Sequence, residues 1–122
     1  MAVSYSFDGN IILIRMEGIY STSELKTTIL KSLDAPECPA NPVMMFDLRE
    51  SRSIKDRSAE DVRDMAMFLA SQGSRFGNRL GMVAPTDLTY GMMRIGAVIA
   101  ERGGVDAFVF REFNEAREWL LR

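Results

Sequence analysis

Short apolar runs alternate with amphipathic segments along most of this chain, and this alternation limits its fold more than any other feature. Residues 43–46 and 80–84 are apolar throughout, and residues 105–110 are mainly apolar. Short runs of this kind are typical of strands that are buried on both faces of a sheet. Segments with helical spacing lie between them, and a helix is the usual connection between parallel strands. The pattern therefore predicts an α/β fold.

Four segments have the apolar spacing of helices: 22–34, 59–72, 87–101 and 113–121. Ser21 and Ser58 precede the first two segments, and each has an acidic residue three positions later. A hydroxyl followed at this distance by a carboxylate is the spacing of a capping box. These two helix starts are therefore predicted from local side-chain chemistry as well as from apolar periodicity.

The N-terminal residues predict a β-hairpin over residues 2–16. Apolar and polar residues alternate over residues 3–7, which is the period of a half-buried strand, and Asp8-Gly9 is a tight-turn dipeptide. The complete order is then ββαβαβαβα, a five-stranded mixed sheet with four helices. The first strand is expected to be antiparallel at an edge, and the other strands are expected to be parallel. A length of 122 residues is that of one domain, predicted to span residues 1–122.

The composition argues against several kinds of chemistry. The chain has no histidine, which removes the commonest general base and the commonest metal ligand. Its single cysteine, Cys38, lies in a proline-rich loop and is interpreted as an ordinary thiol. A formal net charge of −2 does not provide the broad basic face that nucleic acids require. We therefore expect a protein that is not an enzyme, binds no nucleic acid and needs no cofactor or metal.

The hydropathy of the chain bears on its location. No apolar run approaches the length of a transmembrane helix, so no membrane span is predicted. The first residues alternate in polarity and lack the charged start and apolar stretch of a signal peptide. A cytoplasmic location is the simplest expectation.

Several short motifs occur in a particular order: the opening hairpin, Gly18, FDLR at 46–49, VAP at 83–85, YGMMR at 90–94, VF at 109–110 and AREWL at 116–120. This order resembles the SpoIIAA-like (STAS/SEC14-type) α/β domain family, whose members are mostly uncharacterised. The resemblance implies a single SpoIIAA-like domain. Related STAS domains are regulatory modules that bind partner proteins, and related Sec14-type domains hold lipids or other apolar ligands. The resemblance therefore implies protein binding or apolar-ligand binding.

The same resemblance draws attention to Ser58. Anti-sigma-factor antagonists carry an Asp-Ser followed by glycines, and that serine is phosphorylated at a helix N-terminus. The comparable stretch here, residues 53–61, contains no glycine. Ser58 is a phosphorylation candidate by resemblance, and its alternative role is to cap the second helix.

The predicted third helix carries more apolar surface than a sheet needs to cover it. Its apolar arc is more than twice the usual width of about 100°. Only a narrow polar stripe interrupts this arc: Asp87, Tyr90, Arg94 and Glu101. Three alternatives would cover the part of the arc that the sheet leaves exposed: another helix of the domain, a second subunit or an apolar ligand. Small residues would allow a helix to approach closely: Gly91, Gly96, Ala97 and Ala100.

Charged residues follow the third predicted strand. They lie at the edge formed by the carboxyl ends of the parallel strands, where ligands usually bind to sheets of this kind. Asp47 and Arg49 are two positions apart, so both side chains are expected on one face. They form either an ion pair that ties a loop to the sheet or a contact for a ligand or partner. Between Arg49 and Arg57, four cations and two anions give a local charge of +2. This segment is either a solvated loop or a site for an anionic head group or a phosphoprotein.

Two functions remain as hypotheses. The first is a non-catalytic regulatory module that binds a partner protein and forms a homodimer through the third helix. The alternative is a small carrier or sensor for an apolar, lipid-like molecule. Its tail would lie against Met65, Met92 and Met93, and its polar head would lie near Arg49 or Arg94. The candidate ligand or partner residues are Asp47, Arg49, Tyr90, Met92, Met93, Arg94 and Ala97.

Overall fold

The structure is a computed structural model that describes residues 2–122, apart from the side chain of Lys55. Within this range the strands are β1 (Val3–Asp8), β2 (Ile11–Gly18), β3 (Val43–Ser51), β4 (Arg79–Val83) and β5 (Asp106–Phe110). The helices are α1 (Thr22–Asp34), α2 (Ala59–Gln72), α3 (Asp87–Arg102) and α4 (Phe113–Leu120). Two short 3-10 helices, Ile54–Asp56 and Gly73–Phe76, precede α2 and β4 respectively.

The five strands form one sheet in the order β1-β2-β3-β4-β5. β1 is antiparallel to β2, and all other neighbours are parallel. The turn between β1 and β2 contains Gly9 at a φ of +60°, a conformation that glycine adopts without strain. The predicted α/β architecture, with its antiparallel edge strand, its parallel strands and its four helices, is confirmed.

β3 is longer than predicted. Apolar periodicity marks only residues 43–46, whereas β3 continues to Ser51. The pairing of β3 with β4 stops at Asp47, but its pairing with β2 continues to Ser51. The final residues of β3 therefore have a strand neighbour on one side only, and their polar side chains reach the surface.

The helices lie on both faces of the sheet. α1, α2 and α3 cover one face, and α4 covers the other. Successive residues of β3 alternate between the two cores: Met44 and Phe46 belong to the core under α1–α3, and Val43 and Met45 belong to the core under α4. This alternation explains why the run over residues 43–46 is apolar throughout, because both faces of this strand are buried.

Local side-chain chemistry sets two helix starts. Ser58 Oγ accepts a hydrogen bond from the Asp61 N–H at 3.0 Å, and the Asp61 carboxylate accepts from the Ser58 N–H at 3.4 Å, a complete capping box. At α1, Ser21 Oγ accepts from the Glu24 N–H at 3.0 Å. The Glu24 carboxylate does not complete this second box, because it accepts from the Val3 N–H instead and ties α1 to β1.

The packing of α2 against α3 depends on Gly103. A Cβ atom at this position would lie 2.5 Å from the Cβ of Ala70 on α2. This separation is far below van der Waals contact, so only glycine allows the end of α3 to approach α2 so closely. The close approach holds α3 beside α2 and leaves the opposite side of α3 facing outward.

Candidate functional site

The outer face of α3 carries apolar side chains that the domain does not cover. Leu88, Ile95 and Val98 are 55%, 51% and 47% exposed. Gly91 lies between them on the same face, and a Cβ built on it would meet no atom within 4 Å. We call these four residues the α3 strip. Packing within the domain therefore covers only part of the wide apolar arc of this helix.

The remaining apolar residues of α3 face the domain. Ala97 and Ala100 are buried against the sheet side, and Met92, Met93 and Ile99 are half-buried against the same core. Ala97, one of the candidate ligand or partner residues, is thus placed inside the domain. The outward positions of the arc are those of the α3 strip.

Tyr90 lies between two arginines near the start of α3. The guanidinium of Arg111 lies 4.3 Å from the ring centroid of Tyr90, and that of Arg94 lies 5.9 Å from it. Arg111 also pairs with Asp87 at 2.9 Å and donates to the carbonyl oxygen of Pro85 at 3.2 Å. These contacts join the end of β5 to the start of α3. Tyr90 and Arg94 lie beside the α3 strip on the surface of the helix.

Asp47 is buried on the α4 side of the sheet between two arginines. Its carboxylate accepts from Arg49 Nε at 2.9 Å, from the Arg49 backbone N–H at 3.1 Å and from Arg15 Nε at 3.3 Å. Arg49 also lies over the ring of Phe113 in α4, 4.6 Å from its centroid. These contacts support the interpretation of Asp47 and Arg49 as an ion pair that fixes β3 to β2 and α4.

The charges around Asp47 determine its ionisation. Burial alone would raise its pKa, but hydrogen bonds from the side chain and backbone of Arg49, the charge of Arg49 and the hydrogen bond from Arg15 outweigh that effect. The pKa of Asp47 therefore lies below its ordinary value. The same pairing raises the pKa of Arg49. Asp47 is a carboxylate at neutral pH and is well satisfied by hydrogen bonds.

A cavity of about 60 Å³ lies on the other side of the sheet, under α1, α2 and α3. Its floor comes from β2, β3 and β4, and its roof comes from the helices. Four methionines line it: Met16, Met65, Met82 and Met93. The structure therefore brings Met65 and Met93 together, as the ligand hypothesis expects, and adds Met16 and Met82. Met92 is not among the lining residues.

The cavity lies apart from the two arginines predicted to meet a ligand head. Arg49 contacts α4 on the opposite face of the sheet, and Arg94 does not line the cavity. A different arginine, Arg57, lies at the mouth of the cavity together with Tyr20 and Asp61. Arg57 belongs to the cation-rich segment that follows β3, so the excess of positive charge there was the sequence feature that pointed to it.

The structure also describes the surroundings of Ser58 and of Cys38. Ser58 forms the capping box of α2, which accounts for its hydroxyl without a phosphoryl group. Cys38 is half-buried, and burial raises the pKa of its thiol against the opposing charge of Arg75. A raised pKa disfavours the reactive thiolate.

This architecture defines an α/β domain of the SpoIIAA-like fold. The structure is similar to that of an uncharacterised protein of the DUF3478 family with a SpoIIAA-like fold from Shewanella loihica. The TM-score is 0.63 at 17% sequence identity, over 98% of this chain and 92% of that one. The likeness confirms the predicted SpoIIAA-like fold. No protein-family model matches the chain, and no curated protein matches its sequence.

Within residues 2–122, no helix is both long enough and apolar enough to cross a bilayer.

Proposed function

We propose that this chain is a non-catalytic, regulatory binding module that acts as a homodimer through the outer face of α3. The exposed α3 strip is the observation that carries the proposal, because three large apolar side chains share one outward face of one helix. The absence of histidine from the sequence supports a role that does not depend on acid–base catalysis. A cytoplasmic location fits a chain with a single cysteine.

The spacing of the α3 strip favours a second copy of this chain as the partner. The four residues of the α3 strip follow one another at intervals of three, four and three residues: Leu88, Gly91, Ile95 and Val98. This spacing is the same when it is read in either direction along the helix. A two-fold axis across α3 would place Leu88 against Val98 of the partner copy and Gly91 against Ile95 of the partner copy. In a two-fold interface every such contact occurs twice.

Gly91 gives the strip a complementary shape. Glycine inside a helix lowers its stability by roughly 1 kcal/mol relative to alanine, and nothing in the domain approaches Gly91 closely enough to require it. A glycine opposite Ile95 would form a notch that receives a branched side chain. The helix ends match as well, since the first turn of α3 is acidic at Asp87 and its last turn is basic at Arg102. An antiparallel pair brings these opposite charges toward each other.

Introducing a charge into the strip is expected to abolish association. We expect the wild-type protein to have twice its chain mass of 13.7 kDa in the micromolar range. Ile95→Glu should leave a monomer, with a dissociation constant raised at least about 100-fold, because each new carboxylate would be buried without a partner charge against the apolar strip of the other copy. Sedimentation equilibrium across the micromolar range measures both values.

Met67→Glu is the matched control for this experiment. Met67 lies on α2 outside the α3 strip and is 54% exposed, much like Ile95. The same new charge at Met67 should leave the dimer intact. A monomeric wild-type protein at every concentration, or equal loss of association in both variants, would refute the α3 interface.

Gly91→Ala is expected to change monomer stability and association in opposite directions. The added methyl group has open space in the monomer and improves helix propensity, so the free energy of unfolding should rise by about 0.5–1 kcal/mol. The same methyl group would partly fill the notch for Ile95 and weaken the dimer. Urea denaturation at low protein concentration, combined with sedimentation, separates the two effects. Unchanged or stronger association would show that Gly91 is not a contact of this interface.

A further inference from the structure

The cavity under α1–α3 is too apolar to be a favourable place for water. Its walls are almost entirely side-chain carbon and methionine sulfur. The hydroxyl of Tyr20, which is one of the lining residues, is already paired with Ser51 Oγ at 2.6 Å and directed at Met16 Sδ at 3.4 Å. Among the described residues, every buried side-chain nitrogen and oxygen has a hydrogen-bond partner. A buried water needs two to four polar partners, so an apolar group is the better occupant.

The cavity can become larger than the volume observed, because some of the side chains in its walls can move. An apolar cavity of about 150 Å³ accommodates benzene, whereas this one measures about 60 Å³. Met65 on α2 and Met93 on α3 are half-buried and form part of its roof. Methionine side chains are unbranched and change rotamer readily. Movement of these two side chains would admit a short alkyl chain, while Met16 and Met82 form a more deeply buried floor.

The mouth of the cavity offers one cationic group. The Arg57 guanidinium donates to the carbonyl oxygen of Tyr20 and lies over its ring, 5.3 Å from the centroid. Arg57 forms no ion pair with any side chain that the structure describes. A guanidinium has five N–H donors, so several remain for a ligand. Asp61 at the same mouth places a negative charge nearby, which favours a monoanionic head over a doubly charged phosphate.

From these contacts we infer that the cavity is a binding site for a small carboxylic acid with a short alkyl tail. The tail lies among Met16, Met65, Met82 and Met93, and the carboxylate accepts hydrogen bonds from Arg57. This site is separate from the α3 strip, and its occupancy does not depend on the homodimer. The site is on the opposite face of the sheet from the Asp47–Arg49 pair.

Nuclear magnetic resonance of the methionine methyl groups tests the inference. Protein labelled with ¹³C at these methyl groups is titrated with hexanoate, with hexanol as an uncharged ligand of equal tail length, and with xenon as a probe of the cavity alone. All three should shift the methyl signals of the four cavity methionines. Met45 lies in the core under α4 and Met67 lies on the surface, so their signals should remain unchanged.

The role of Arg57 is tested by Arg57→Gln, with Arg63→Gln on the exposed part of α2 as the matched control. Arg57→Gln should weaken hexanoate binding about tenfold and leave hexanol binding unchanged, because only the charged head loses its partner. Arg63→Gln should change neither. The inference is overturned if xenon shifts none of the four methyl signals, if hexanoate shifts Met67 or Met45 equally, or if Arg57→Gln weakens hexanoate and hexanol alike.

Discussion

Replacing Phe76 with alanine is expected to lower the free energy of unfolding by about 3–5 kcal/mol. Phe76 ends the 3-10 helix Gly73–Phe76, and its side chain is 0% exposed within the core under α1–α3. Removal of the ring would leave a void that close-packed neighbours fill only in part. Since domains of this kind are typically stable by about 5–15 kcal/mol, this single change should bring the protein close to unfolding. Urea denaturation followed by circular dichroism measures the loss.

Phe108→Ala is the matched control for the change at Phe76. Phe108 lies on β5, and its side chain is 53% exposed. It contacts the rings of Phe110 and Trp119 at centroid distances of 5.1 and 5.8 Å. We expect this variant to lose no more than about 1 kcal/mol, mostly from these ring contacts. Equal losses in the two variants would contradict the assignment of Phe76 to the core.

The position of Phe76 illustrates what apolar periodicity does not predict. The segment between α2 and β4 contains one aromatic residue among glycines and polar residues, so the sequence predicts only a loop. The burial of Phe76 depends on tertiary contacts, because its ring packs in the core under α1–α3 with residues from distant parts of the chain. The starts of helices 22–34 and 59–72, in contrast, are predicted correctly from the sequence, because their serine caps are local features of the chain.

The candidate surfaces show the same division between local and long-range information. The wide apolar arc of α3 is visible in the sequence, but the covered part of the arc depends on where α2 and the sheet contact the helix. Gly96 and Gly103 both face α2, whereas Gly91 lies on the outside. The sequence marks Arg57 only as one of several cations in a loop. Its place over Tyr20 depends on a contact between residues 37 positions apart, which no local pattern specifies.

The largest expected electrostatic effect lies at Asp47. Asp47→Asn keeps the shape of the side chain but removes the charge that faces Arg15 and Arg49. The carboxylate is buried, whereas the two guanidinium groups are half-exposed and can be solvated after the change. We therefore expect a loss of about 2–3 kcal/mol at neutral pH, less than for a completely buried ion pair. Asp34→Asn, which breaks the exposed pair with Arg75, should change stability by less than about 1 kcal/mol.

The pH dependence of this loss identifies its cause. The pKa of Asp47 is lower in the folded protein than in the unfolded chain, so the unfolded chain binds its proton first as the pH falls. The stabilisation by Asp47 is complete above the unfolded-state pKa and is lost as the pH falls through the folded-state pKa. Asp8, whose pKa is lowered by the hydrogen bond from Arg117, titrates in both proteins and cancels from their difference. The difference in unfolding free energy between wild type and Asp47→Asn should therefore be constant near neutral pH and shrink below about pH 4. A difference that persists undiminished in acid would mean that hydrogen-bond geometry, and not the charge of Asp47, holds β3 to Arg15 and Arg49.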